Sequence, residues 1–184
     1  MTKVITAIAV LLLLTTYISW TASRLDRLTA RVEAAWSSLD AQLVRRAAAA
    51  AQLAAYERRH GGLESDPLQI MEYAAMGARN ASVAERQDAE NDLTRGIRSA
   101  LAIGALRGTR AGDLFVDLRD ASTKVDFARQ FYNDAVRDNG GLRRRWLCRL
   151  LCRFRRDPIR GYFEIADAAI VAERGRSAMS DGFG

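Results

Sequence analysis

Between Val4 and Ala22 the chain carries no charged residue, and Val4, Leu11, Leu12, Leu13 and Leu14 make much of that run continuously apolar. As a helix rising about 1.5 Å per residue the run is about 28 Å long, close to the ~30 Å hydrocarbon core of a bilayer. Thr6, Thr15, Thr16 and Ser19 can bond back to their own helix carbonyls, so they cost little in lipid. Tyr17 and Trp20 fall near one end, where amphipathic rings settle at headgroup level. The pattern predicts a single-pass transmembrane helix. A cleaved secretory signal competes with it, since Lys3 precedes an apolar core at Val10 to Leu14. Against cleavage, Trp20 stands where a small residue is required, and the run exceeds the ~7–15 residues of a signal core. Lys3 alone precedes the run while Arg24, Arg27 and Arg31 follow it, which predicts that the bulk of the chain is cytoplasmic.

Beyond the anchor the apolar period changes to that of amphipathic helices. From Ser23 to Arg59 there is no Pro or Gly, and Leu25, Leu28, Val32, Ala35 or Trp36, Leu39 and Leu43 recur at three- and four-residue steps. One long helix is predicted, running unbroken out of the membrane and ending at His60-Gly61-Gly62. Ser65-Asp66-Pro67 carries the cap and proline of a new helix start. A second helical stretch covers Leu68 to Leu106, with a break expected between Gly77 and Ser82 because the middle is polar and each of its glycines costs about 1 kcal/mol relative to Ala. Gly108 to Gly112 reads as a loop. A third helix is predicted from Asp113 to Asp138, with Leu114, Leu118, Ala121, Val125, Ala128, Tyr132 and Ala135 or Val136 on its core face and Asn139-Gly140-Gly141 as its stop. Long helices joined by short turns cannot bury their stripes alone. The expected fold is therefore all-α, a transmembrane helix followed by an antiparallel bundle over residues 23–141.

Charge changes the picture in one place. The chain of 184 residues has a formal net charge of +6, and eight arginines against one acid between Leu142 and Arg160 account for more than all of it. In Leu142 to Arg156 the residues Trp146, Leu147, Leu150, Leu151 and Phe154 share one helical arc, opposite Arg144, Arg145, Arg149, Arg153, Arg155 and Arg156. This predicts a basic amphipathic helix suited to anionic lipid or to a partner groove, with completion of the bundle core as the alternative. Asp157-Pro158 ends it, and a short apolar helical piece to Ala172 with Tyr162, Phe163 and Ile165 precedes a polar tail expected to be disordered over residues 173–184.

Two stretches resemble the LemA family of bacterial membrane-anchored helical proteins. Val32-Glu33-Ala34-Ala35-Trp36-Ser37-Ser38-Leu39-Asp40-Ala41-Gln42-Leu43-Val44-Arg45-Arg46 resembles the family's VExAWSxxDxQLxRR block, and Ala128-Arg129-Gln130-Phe131-Tyr132-Asn133-Asp134-Ala135-Val136 its ARxxYNDAV block. Glu90-Asn91-Asp92-Leu93-Thr94 is similar to the ENxLT between them, so that order and spacing agree over roughly Val32 to Phe163. The resemblance implies a LemA-like antiparallel bundle on a membrane anchor, mostly cytoplasmic, in a family without established enzymatic activity. Two departures stand out: Leu106 to Gly112 replaces the family's Glu-x-Tyr-Pro loop, and the arginine-rich segment replaces an apolar FP-containing stretch.

Catalytic chemistry finds little support. No Ser/His/Asp or Cys/His arrangement, metal-spaced cluster or phosphate-cradling glycine loop is present, and no catalytic residue, cofactor or metal is expected. Trp36, Asp40 and Arg45, and Tyr132 with Asn133, are candidates for recognition, but Trp36 and Tyr132 lie on apolar stripes and read first as core. His60, beside two glycines, reads as a helix cap, and Asp117 with Asp120 as solvated helix charges. Cys148 and Cys152 lie among arginines that favour thiolate, yet a bacterial cytoplasm would keep them reduced and their four-residue spacing is no zinc signature. The expected function is that of a non-enzymatic scaffold or assembly factor in the bacterial cell membrane, in contact with anionic lipid, an unidentified membrane protein or a second copy of itself. The alternative is tethering of nucleic acid or another anionic partner through residues 142–160. The apolar residues interleaved there favour lipid, since phosphate binding alone would not require them.

Overall fold

The computed structural model describes residues 1–60, 66–102, 109–143 and 161–165. Its elements are four helices, α1 (Thr2–His60), α2 (Asp66–Asn80), α3 (Arg86–Ala102) and α4 (Thr109–Arg143), and no strand occurs among the described residues. The all-α reading holds.

α1 is continuous, and its exposure changes along its length. Through Trp20 nearly every side chain is exposed, including Val4, Leu13 and Tyr17, whereas Leu25, Val32, Trp36, Leu39 and Leu43 are buried. By length and composition, the N-terminal part of α1 is long and apolar enough to cross a membrane.

The chain divides into two compact units, and both α1 and α4 pass through each. In the first, comprising Met1–Trp36 and Phe131–Tyr162, the Trp36 ring meets Tyr132 edge-on, with centroids 5.4 Å apart and planes inclined at 62°. Arg31 pairs with Asp138 at 3.3 Å. The Tyr132 hydroxyl donates to the Gly161 carbonyl at 2.8 Å, fastening the returning chain to α4.

The second unit, Ser37–Gln130 with Phe163–Gly184, holds a hydrophobic core cluster. Ala47, Ala50, Leu53 and Ala54 of α1 pack with Leu68, Met71 and Ala75 of α2, Leu93, Ile97 and Ala100 of α3, and Leu118 of α4. α2 and α3 approach very closely, because a Cβ on Gly96 would lie 3.0 Å from the Met71 Cα. Arg58 of α1 pairs with Glu72 of α2 at 3.0 Å, and Asp40 of α1 with Arg86 of α3 at 2.9 Å.

Four boundaries differ from the sequence reading. α2 runs through Gly77, and the break falls at residues 81–85, because one glycine costs only about 1 kcal/mol while Met71, Ala75 and Ala78 are buried around it. At the break, Ser82 and Glu85 form a Ser-x-x-Glu start for α3, with the Ser82 hydroxyl donating to the Glu85 carboxylate at 2.7 Å. α4 already includes Thr109 to Gly112, which had read as loop. It also continues through Asn139-Gly140-Gly141, since Asn139 extends the buried stripe of Tyr132 and Ala135 and packing outweighs the glycines. Residues 161–165 are not helical, although Phe163 and Ile165 are buried, so the short C-terminal helical piece is not formed at these five positions.

Candidate functional site

The predicted anchor contacts lie on the exposed part of α1. Val4, Leu11, Leu12, Leu13, Leu14, Tyr17 and Trp20 are all exposed, a disposition that suits an apolar surround and has no benefit in water. Thr6, Thr15 and Thr16 donate their hydroxyls to carbonyls three or four residues back, at 2.8–3.0 Å, so these polar groups are satisfied within the helix. Tyr17 and Trp20 lie on one face with ring centroids 6.4 Å apart, and the Arg24 guanidinium stands 5.7 Å from the Trp20 ring centroid. An aromatic pair under a cation is the arrangement expected where a helix passes from hydrocarbon to headgroups.

The other predicted contacts, Arg144, Arg145, Trp146, Arg149, Leu150, Arg153, Phe154, Arg155 and Arg156, lie outside the described residues, as do Cys148, Cys152 and the expected tail.

Of the recognition candidates, Trp36 and Tyr132 are buried against each other, Asp40 pairs with Arg86, Arg45 is exposed and Asn133 is half-buried. His60 is the last residue of α1, stacked on Tyr56, with Nδ1 3.0 Å from the Tyr56 carbonyl. Asp117 and Asp120 are exposed.

The polar site that the sequence reading did not single out is buried between α1 and α3. Arg46 is 2% exposed and Glu90 0%, and the Arg46 Nη1 donates to Glu90 Oε2 at 3.2 Å. Arg46 Nη2 also donates to the Thr94 hydroxyl at 2.7 Å, which donates in turn to the Glu90 carbonyl at 2.8 Å. Alongside, Arg86 joins Asp40 and also donates to the Ala78 carbonyl at 2.5 Å, capping the end of α2. Burial pushes the Glu90 carboxyl up to about 7 against the pull of Arg46 and Arg86, and lowers the Arg46 guanidinium against the pull of Glu90 and Asp126. The signal was present: Arg46 is in phase with Leu39 and Leu43, and Glu90 with Leu93 and Ile97, so two opposite charges occupy core positions of two stripes. The arrangement fixes which helix meets which.

A groove of about 690 Å³ is lined by Ile70, Tyr73, Gly77, Asp92, Arg95 and Gly96 among others, from α2 and α3 and the residues between them. Among the described residues no group of three or more His, Cys, Asp or Glu side chains could hold a metal ion. Comparison of the chain with models of known protein families and with curated proteins gives no match.

Proposed function

We propose that this chain is a LemA-like, non-enzymatic scaffold of a bacterial cell membrane, with residues 4–22 as its single span, its bulk in the cytoplasm as an antiparallel helical bundle, and its arginine-rich segment on anionic lipid beside the anchor. The observation that carries this reading is the exposure change within one unbroken helix, apolar and uncovered through Trp20 and core-forming from Leu25. A soluble helix with that first half would expose far more contiguous apolar surface than water-facing proteins tolerate.

The residue pairings support the bundle. Numbering is opposed between α1 and α4 at Arg31–Asp138 and Trp36–Tyr132, and between α2 and α3 at Met71–Gly96 and Ala78–Arg86, while it rises together between α1 and α3 at Asp40–Arg86 and Arg46–Glu90. The same register brings the end of α4 toward the anchor. Asp138 is level with Arg31, nine residues or about 14 Å past Ala22, and α4 continues five residues or about 8 Å back toward it. By the same rise α4 ends about 6 Å short of the level of Ala22, and each cation near an anionic leaflet contributes on the order of 1 kcal/mol.

Membranes bearing the full chain test the anchor. The protein stays in the pellet through high salt and carbonate, and paired Leu11→Arg and Leu13→Arg substitutions, each costing about 2.5–3.5 kcal/mol at a helix centre, release it. Carbonate extraction of the unaltered chain would remove the reading. For the basic segment, a fluorophore on Cys148 in reconstituted vesicles is shielded from an aqueous quencher when the lipid is anionic and not when it is neutral. Shielding brought about by an oligonucleotide instead would turn the assignment to nucleic acid.

A further inference from the structure

Residues 161–165 are held in the manner of a bound peptide. Burial alternates along them, with Tyr162 53% exposed, Phe163 5%, Glu164 exposed and Ile165 5%. That is the period of extended backbone, in which successive side chains point to opposite sides. Phe163 and Ile165 are the anchors, and in the second unit two hydrogen bonds hold the backbone between and beside them. The Gln87 side-chain oxygen of α3 accepts from the Glu164 N–H at 3.5 Å, and Arg129 Nη1 of α4 donates to the Ile165 carbonyl at 3.3 Å, its Nη2 lying 3.9 Å from Asp126. Main-chain hydrogen bonds combined with seats for alternate side chains are how proteins recognise extended peptides, the bonds giving affinity and the seats specificity.

The attachment is one that a competing segment can replace. Both bonds are longer than the ~2.7–3.2 Å usual for N–H···O contacts, and chain connectivity does not force the segment into place. Gly161 is bonded to Tyr132, which lies eleven residues before the end of α4 at Arg143, or about 16 Å along the helix. Residues 144–160, which join Arg143 to Gly161, would span about 55 Å if fully extended. The segment can therefore leave its seats with every helix intact. We propose that Gln87, Arg129 and the seats of Phe163 and Ile165 form a recognition site for an extended peptide bearing an aromatic and an aliphatic side chain two positions apart. Residues 163–165 are its tethered occupant, and the partner is a protein segment of that same pattern. This goes beyond the scaffold reading and depends neither on the anchor nor on the lipid contact.

The full chain in detergent micelles tests it, with Cys148 and Cys152 replaced by serine and a nitroxide attached at Glu164→Cys, an exposed position. The label on the seated segment is immobilised, and a synthetic peptide of residues 160–167 is expected to mobilise it in a saturable way. The same peptide carrying Phe163→Ala and Ile165→Ala should leave the label as it was. In a full chain carrying those two substitutions the label should be mobile from the outset. A fluorescent 160–167 peptide should bind that chain at least tenfold more tightly than the parent, since it no longer competes with a tethered segment at a roughly millimolar effective concentration. The assignment is overturned if the label stays immobilised up to millimolar peptide, or if the alanine peptide mobilises it equally well. It is overturned equally if circular dichroism shows the substituted chain folded and the peptide binds it no more tightly than the parent. The label titration keeps both anchors in the chain, so it decides the matter even where the substituted chain unfolds.

Discussion

Arg46 of α1 and Glu90 of α3 form an ion pair at 3.2 Å with both side chains sealed from solvent. The two members are not equivalent. A guanidinium keeps its proton in any protein setting, whereas a carboxyl can escape its charge by taking one up. Glu90→Leu strands a buried cation and should cost about 3–5 kcal/mol in denaturant unfolding. Arg46→Met should cost visibly less near neutral pH, because Glu90 can then protonate. The combined Arg46→Met and Glu90→Leu variant should recover most of the loss or exceed the parent, as apolar replacements of buried ion pairs often do. Equal costs for the two single variants would contradict the burial assigned to the pair.

The same carboxyl sets a pH dependence. Its folded-state value of about 7 lies above its ordinary value of 4.5, so between those limits the folded chain binds more protons than the unfolded one. Its contribution to stability is therefore complete below about pH 4.5 and is lost as pH rises through about 7. Glu57, raised by burial and held back by His60, acts in the same sense. Urea midpoints should fall from pH 5 to pH 8, and Glu90→Gln should flatten that slope.

Two glycines on facing helices should respond oppositely to one methyl group. At Gly77 an added Cβ meets nothing within 4 Å, so Gly77→Ala should stabilise by about 0.5–1 kcal/mol through helix propensity alone. At Gly96 it meets the Met71 Cα at 3.0 Å, and backbone cannot step aside as a side chain can. Gly96→Ala should show a net loss of roughly 1 kcal/mol despite the better propensity. Thermal midpoints of the two variants are the measurement.

Tyr132 is buried and reaches Gly161 with its hydroxyl. Tyr132→Phe keeps the edge-on contact with Trp36 and should cost about 1 kcal/mol, with faster proteolysis near residue 161 as the local sign. Tyr132→Ala also removes the ring and should cost about 3–5 kcal/mol.

The helices that were legible in the sequence are those whose stripes are long and free of contradiction: the run from Leu25 to Leu43 and the one from Leu114 to Ala135 reappear as buried faces of α1 and α4, with Leu28, Ala35, Leu114 and Ala121 half-buried. Boundaries were less legible where a local signal opposed packing. Asn139-Gly140-Gly141 is a stop by propensity, yet Asn139 is buried on the α4 stripe. The buried polar centre was hidden for a related reason. Arg46, Glu90 and Thr94 are all plain in the sequence, but a charged letter in a helix is ordinarily solvated, and only the partner on another helix shows that it is not. Arg45, the neighbour named as a recognition candidate, is the one that faces water.

Because α1 passes from its exposed apolar run into the core without a break, it is a torsional shaft. One alanine inserted after Ser23 would advance the helix by only about 1.5 Å but swing everything beyond it through about 100° relative to the Trp20 and Tyr17 face. Seven inserted residues, close to two full turns, would restore the angle and change only the height. Phase, and not distance alone, is thus what this joint sets between the apolar run and the core.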